Sequence, residues 1–140
     1  MITILAIISA VVTPRFFSTL AYHRAESAAQ RIQFDCQWAQ RRAKTQSADQ
    51  VVQFHPGANS YTLPAVARRN QAAADYVVEL DAYPYAASIV SADFGGQSEL
   101  VFDGFGLPKQ AGNVVVRSGA SHRSISFDPD TGSATISDEF

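Results

Sequence analysis

The sequence has little cysteine, little net charge and none of the common catalytic signatures. Cys36 is the single cysteine, so no disulfide can form within the chain. The formal net charge is −2, which favours neither a nucleic-acid binder nor an acidic tail. No G-x-S-x-G, P-loop or H-E-x-x-H motif occurs. We therefore expect a protein that is not an enzyme and needs no cofactor.

Side chains with metal-binding spacing are also scarce. His23, His55 and His122 are far apart in sequence, without a cysteine or carboxylate at ligand spacing, which favours surface or packing roles. Asp128–Gly132 carries two carboxylates but lacks the further acidic positions and closing glutamate of a helix–loop–helix calcium loop. We interpret this segment as a hairpin turn with Gly132 at positive φ, and we expect no metal.

The opposite charges are unevenly distributed along the chain. Residues 15–44 carry six basic and two acidic groups, a net charge of +4. The remaining residues carry five basic and eleven acidic groups, a net charge of −6. The two parts are therefore expected to attract each other, within one molecule or between neighbouring subunits.

No apolar run is long enough by itself to cross a bilayer. Residues 1–13, MITILAIISAVVT, are apolar and end at Pro14. Crossing the hydrocarbon takes roughly 20 residues, whereas this run would extend only about 20 Å as a helix. A buried helix, the remnant of a secretory signal and an incomplete membrane segment all fit the run alone.

The residues after Pro14 have the spacing of an amphipathic helix. Small or apolar positions recur at steps of three and four, and neither glycine nor proline occurs in residues 15–45. Small residues on one face let a flat partner approach closely, so we expect this face to pack on a sheet. Pro14 is predicted to kink the helix. The predicted stripe on the sheet is Phe17, Ala21, Ala25, Ala28, Ile32, Cys36, Ala39 and Ala43.

The apolar run, the proline and the amphipathic helix together resemble the type IV pilin and pseudopilin superfamily. ITILAIISAVVTPRF is similar to the latter part of the N-terminal signature of that family. Aligned on Pro14, the resemblance implies a processing site, an assembly glutamate and about eight apolar residues ahead of Met1 that would complete a membrane span, so we expect a fragment or an internal start. The resemblance implies a membrane and filament-core helix that includes Ile2, Ile4, Leu5, Ile7, Ile8, Val11, Val12 and Pro14.

The C-terminal part resembles one branch of that superfamily. LVFDGFGLPKQAGNVVV and SISFDPDTGSATIS are similar to the H-type minor pseudopilins of type II secretion (general secretion pathway protein H) and related minor pilins. The middle of the chain, residues 65–98, shares little with them. The matching positions are Phe102, Gly106, Gly112, Val114–Val116, Ile125, Phe127, Thr131 and Gly132.

Alternating apolar residues follow Lys44 and predict several short strands, the first two joined by a turn at Pro56–Asn59. The expected fold is α+β and pilin-like. A long N-terminal helix, kinked near Pro14, packs on a mainly antiparallel sheet or sandwich domain. The expected units are a partial transmembrane helix at 1–14, an amphipathic helix at 15–45 and a β-rich head at 46–140.

A basic patch and an aromatic pair stand outside the stripe. Arg41, Arg42 and Lys44, together with Arg68 and Arg69, form a candidate patch for nucleic acid or a partner protein. The alternative, a solvated helix end that complements the helix dipole, is favoured because aromatic residues are not interleaved with the cations. Phe34 and Trp38 either pack under a loop or mark a subunit contact.

The resemblance implies a minor pseudopilin or pilin-like subunit of a type II secretion or type IV pilus-like filament. It would be a single-pass inner-membrane protein with a periplasmic head. The implied partners are other pilin or pseudopilin subunits, inner-membrane lipid and secreted cargo. One alternative is a minor pilin of a DNA-uptake machine that binds nucleic acid, which is not favoured. The other is a soluble binding module whose apolar run is buried in its own core.

Deletion of the first eighteen residues separates these alternatives. If the apolar run is an anchor, a chain that begins at Thr19 should remain folded, because its own core would be intact. Circular dichroism and sedimentation velocity would measure this. Loss of folded structure in the shortened chain would instead place the run in the core of the domain.

Overall fold

The computed structural model describes residues 2–66, 74–82 and 84–138, with helix side chains described from Thr19 onward. The described chain contains one α-helix followed by eight strands. The helix, α1, is Ile2–Gln46, and a short 3-10 turn, Pro56–Ala58, follows the first strand. The strands are β1 Gln50–His55, β2 Ser60–Val66, β3 Ala74–Glu79, β4 Ser88–Asp93, β5 Glu99–Phe102, β6 Gly112–Ser118, β7 Ser121–Phe127 and β8 Ala134–Asp138.

The strands form two separate four-stranded sheets, in which all neighbours are antiparallel. The first sheet has the order β3-β2-β1-β5, and the second has the order β4-β6-β7-β8. The predicted turn at Pro56–Asn59 is present, because β1 and β2 pair across it with Gln53 opposite Thr62. Most of the paired strands are consecutive in the chain. The exceptions are β5, which pairs with β1, and β6, which pairs with β4.

One face of α1 packs on both sheets. Its fully buried positions are mainly alanine, which removes the bulk that would hold a sheet away from the helix axis. Ala21 is half-buried at the start of this face, and Phe17 lies outside the described side chains. The buried helix residues are Ala25, Ala28, Ala29, Ile32, Cys36, Ala39 and Ala43.

Aromatic rings join the two sheets within the core. Phe54 of β1 stacks on Phe94, which follows β4, with ring centroids 5.9 Å apart. Phe94 in turn contacts Phe127 of β7 at 5.6 Å. Offset aromatic pairs at such distances add to the stabilisation from buried area. This chain of rings gives the first sheet, the second sheet and α1 one common core.

The expected fold class is wrong. The prediction was a long kinked helix packed on a mainly antiparallel sheet or sandwich domain, whereas the structure has one helix and two antiparallel sheets. The helix that packs on them, from Thr19 to residue 46, is about 28 residues long. The difference arises because strand periodicity does not show which strands pair, and the return of β5 to β1 separates the two sheets.

The membrane placement is also corrected. Within the described residues, no helix combines the length and the apolar character needed to cross a bilayer. This finding contradicts the expected single-pass inner-membrane protein with a periplasmic head. The apolar run ends at Pro14, and charged residues follow from Arg15. The predicted membrane and filament-core side chains, Ile2 to Pro14, lie outside the described side chains.

Enlarging an alanine in the buried helix face should destabilise the fold. Ala28 is fully buried in the core cluster, so Ala28→Leu must displace sheet residues. We expect the free energy of unfolding to fall by about 1–3 kcal/mol, the usual effect of overpacking. Chemical denaturation would measure the change. The matched control is Gln30→Leu, an exposed position on the same helix. Equal stability of Ala28→Leu and the control would contradict close packing at this face.

Candidate interaction surface on the helix

A buried carboxylate lies within the helix face that the sheets cover. Asp35 is only 5% exposed. The hydroxyl of Tyr61, on β2, donates a hydrogen bond of 2.5 Å to Asp35 Oδ2. Arg31, one helical turn earlier, donates from Nε to the same oxygen at 3.1 Å and donates from its terminal nitrogen to the Tyr76 hydroxyl on β3. Asp35 therefore ties α1 to the first sheet.

The environment of this cluster shifts the proton affinity of its members. Burial raises the pKa of Tyr61 far above its usual value, and the Asp35 charge and hydrogen bond add to this effect. Burial likewise raises the pKa of the neighbouring Cys36 thiol. Burial alone would lower the pKa of Arg31, but the attraction of Asp35 and the tyrosines raises it overall. The cluster thus keeps a neutral phenol and a neutral thiol beside an ion pair.

A second polar cluster ties α1 to the second sheet. Arg123 of β7 forms ion pairs with Glu26 of the helix, at 2.5 Å, and with Asp138 of β8. Its guanidinium also lies 4.7 Å from the centre of the Tyr22 ring and donates to the Tyr22 hydroxyl at 2.5 Å. The Arg123 side chain is only 11% exposed, although Asp138 and Tyr22 are themselves exposed.

Two glutamines on the helix bond to the backbone of the head. Gln33 donates to the carbonyl of Ala134, at the start of β8, at 2.8 Å. Gln40 donates to the carbonyl of Gly106 at 2.7 Å and to that of Gly132 at 3.0 Å. Near its C-terminal end, the helix therefore also binds the two loops that contain Gly106 and Gly132.

The opposite side of α1 presents aromatic and basic side chains. Phe34 is 57% exposed, and Trp38 one turn later is partly buried against the core. The Arg42 guanidinium lies 5.5 Å from the centre of the Trp38 ring, and Arg41 is exposed. We name Phe34, Gln37, Trp38, Arg41 and Arg42 the outer helix face. Tryptophan, other aromatics and arginine are the residue types enriched at protein–protein hot spots.

The structure does not bring the predicted basic patch together within its described residues. Arg41 and Lys44 are exposed near the end of the helix, but Arg42 is half-buried against Trp38. Arg68 and Arg69 lie outside the described residues. Trp38 packs against the core of its own domain, as one of the two sequence interpretations expected. The Phe34 side chain is exposed to solvent.

The predicted turn at Asp128–Gly132 is held by its own hydrogen bonds. Asp128 Oδ1 accepts from the amide of Asp130 at 2.8 Å, and Gly132 has φ of 75°. Across residues 19–64, 75–82 and 84–138, no group of three or more His, Cys, Asp or Glu side chains could hold a metal ion.

Comparison of the chain with protein-family models, with curated proteins and with solved structures found no match.

Loss of the Tyr61 hydroxyl should weaken the attachment of α1. Tyr61→Phe leaves Asp35 with one donor fewer, so we expect a loss of about 1–3 kcal/mol at pH 7. Because the folded-state pKa of Tyr61 is raised, its stabilising effect is complete below the unfolded pKa near 10. That effect is lost at higher pH as the unfolded phenol ionises, by about 1.4 kcal/mol per pH unit. In Tyr61→Phe, the free energy of unfolding should therefore fall less steeply above pH 10 than in the wild type.

Urea unfolding between pH 7 and 11 would measure both effects. Tyr85→Phe is the control at pH 7, because the Tyr85 hydroxyl makes no hydrogen bond within the described residues. Stability of Tyr61→Phe equal to that of the wild type would refute the role of the buried carboxylate.

Proposed function

We propose that this protein is a minor pilin-like or pseudopilin-like subunit that assembles with other subunits of a filament through its helix. The proposal excludes the single-pass membrane placement that the structure contradicts. The observation that supports it best is the outer helix face. The sheets cover one side of α1 and leave Phe34 57% exposed on the other. Helix-mediated assembly requires such an uncovered face.

The outer helix face is suited to a protein partner. Phe34 supplies apolar area, and the partly buried Trp38 with Arg42 above its ring supplies a rigid base beside it. Aromatic anchors surrounded by partly buried neighbours dominate the binding energy of many interfaces. Gln37 and Arg41 add polar groups at the rim of the surface.

The polar bonds under the helix also support a role in assembly. A subunit that transmits force through its helix needs a head that stays attached to it. Asp35 attaches the first sheet to the helix, and Arg123 attaches the second. Gln40 attaches the loops that contain Gly106 and Gly132. These contacts attach the helix to both sheets of the head. The N-terminal and C-terminal sequence resemblances to pseudopilins are the reason why the proposed assembly is a filament of such subunits.

Nucleic-acid binding is a weaker interpretation of the same surface. Phosphate binding needs several free cations along a groove. The described residues provide Arg41 and Lys44 there, while Arg42 is committed to Trp38. No other observation favours the DNA-uptake alternative.

Site-specific photocrosslinking in the native host would test the proposal. A photoreactive amino acid at position 34 should crosslink to the helix of another filament subunit, because the proposal places Phe34 at the subunit contact. Mass spectrometry would identify the crosslinked peptide. The matched control is position 90, since Val90 is similarly exposed at 51% but lies on β4. Absence of helical partners at position 34, or the same partners at both positions, would reject the proposal.

A further inference from the structure

A single phenylalanine projects from the end of the head near the C-terminus of α1. Phe105, in the loop between β5 and β6, is 81% exposed, the largest exposure of a large apolar side chain among the described residues. Leaving a phenyl ring in water forgoes the roughly 1.5–3 kcal/mol that its burial would contribute. Isolated exposed apolar residues are common, so the loop that carries the ring is decisive.

The loop holds Phe105 in a fixed position. Asp103 Oδ1 accepts from the amides of Phe105, at 2.9 Å, and Leu107, at 3.0 Å. Gly106 has φ of 80°, and its carbonyl accepts from Gln40 of the helix. A Cβ at Gly106 would lie 2.4 Å from the Lys44 side chain, so the loop packs directly on the helix. Because these bonds fix the backbone of the loop, the loop loses little conformational entropy on binding. We call Phe105 with this loop the Phe105 knob.

A small groove lies at the opposite end of the head. It is open, has a volume of about 250 Å³, and is formed between one turn of α1 and the segment after β3. Small-molecule pockets are typically about 300–1,000 Å³, so this groove is better suited to one side chain. We call it the Leu20 groove; its lining residues are Leu20, His23, Arg24, Ser27 and Pro84.

The two features are far apart and carry complementary charge. The helix residues of the groove, 20–27, precede Gln40 by 13–20 residues and Lys44 by 17–24 residues, which is about 20–36 Å at 1.5 Å per residue. The groove carries Arg24, which forms no ion pair within the described residues. At the knob end, Gly132 lies against the loop that carries Phe105. Asp128 and Asp130, in the same turn as Gly132, are exposed and form no ion pair with another described residue. Lys44 at the base of the knob offsets part of this acidity.

We propose that the Phe105 knob of one copy of this chain docks into the Leu20 groove of a second copy. The contact joins different surfaces, so it is heterologous and repeats from copy to copy. The carboxylates of the Asp128–Gly132 turn would then approach Arg24 of the neighbour. The contact uses no residue of the outer helix face, so it can hold or fail independently of the proposed function.

Disulfide trapping between single-cysteine additions would test the contact. Full-length Phe105→Cys and Ser27→Cys proteins are mixed under mild oxidation, and disulfide-linked dimers are quantified on non-reducing gels. Both positions are solvent-accessible, whereas the native Cys36 is buried. We expect about tenfold more dimer than in a mixture of Phe105→Cys with Val90→Cys, because docking raises the effective concentration of the matched pair. Wild-type protein alone is the control for Cys36.

Each other outcome overturns the proposal. Equal trapping with Val90→Cys would show random collision, and preferential Phe105→Cys homodimers would show a symmetric contact. Absence of any dimer would show no contact.

Sedimentation equilibrium provides a second measurement that needs no added thiol. Wild-type protein should show a mass average that rises with concentration beyond the dimer, as a repeating contact requires. Phe105→Ala should weaken this association by about tenfold or more, and Val90→Ala should leave it unchanged. The exposed position of Phe105 makes the variant compatible with folding, which its thermal unfolding would verify. Monomeric wild-type protein up to about 1 mM would also overturn the proposal.

Discussion

The burial of one carboxylate fixes how the helix sits on the head. The face of α1 that the sheets cover is lined with alanines, which permit close approach but are too small and uniform to select one rotation of the helix. Asp35 interrupts this face, and burying its charge without partners would be strongly unfavourable. Tyr61, on β2, reaches Asp35 in only one orientation, because a shift of one helical residue rotates Asp35 by about 100°, whereas Arg31 lies on the same helix and moves with Asp35.

The exposed features follow from that orientation. Phe34 precedes Asp35, so burying Asp35 turns Phe34 toward the other side of the helix. The same rotation places Glu26 beside Arg123 and Gln40 beside the loops that carry Gly106 and Gly132. The loop that supports Phe105 is therefore also positioned through the helix. One packing arrangement therefore has two consequences. The buried face of α1 holds the head, and the outer helix face stays exposed.

The sequence reveals the local features of this arrangement better than its long-range ones. The spacing of small residues was visible in the sequence, and the structure buries Ala25 to Ala43 of that set. The turn before Ser60 was recognisable from Pro56 and Gly57. The division into two sheets was not, because it depends on β5 returning to β1 over many residues. The helix that packs on the sheets is about 28 residues long, shorter than the long packed helix that was expected.

The polar clusters were missed for the same reason. Asp35 is separated from Tyr61 by 26 residues, and Arg123 from Tyr22 by 101. One signal was available, since Asp35 lies three residues after Ile32 and four before Ala39, at the spacing of the buried stripe. A carboxylate at such a position predicts a buried polar partner on the facing sheet. Phe105 carried no comparable signal, because its exposure depends on how Asp103 and Gln40 hold its loop.

The central claim is that the Asp35 cluster selects the rotation of the helix. Fluorine NMR of a fluorinated phenylalanine placed at position 34 measures this directly. The wild-type protein should give one sharp resonance that responds to solvent exchange. Replacing the pair by apolar residues, Asp35→Leu with Tyr61→Phe, should leave a folded protein in which that resonance splits or broadens into several environments. A single unchanged resonance in the double variant would show that the alanine face and the remaining contacts set the orientation without Asp35.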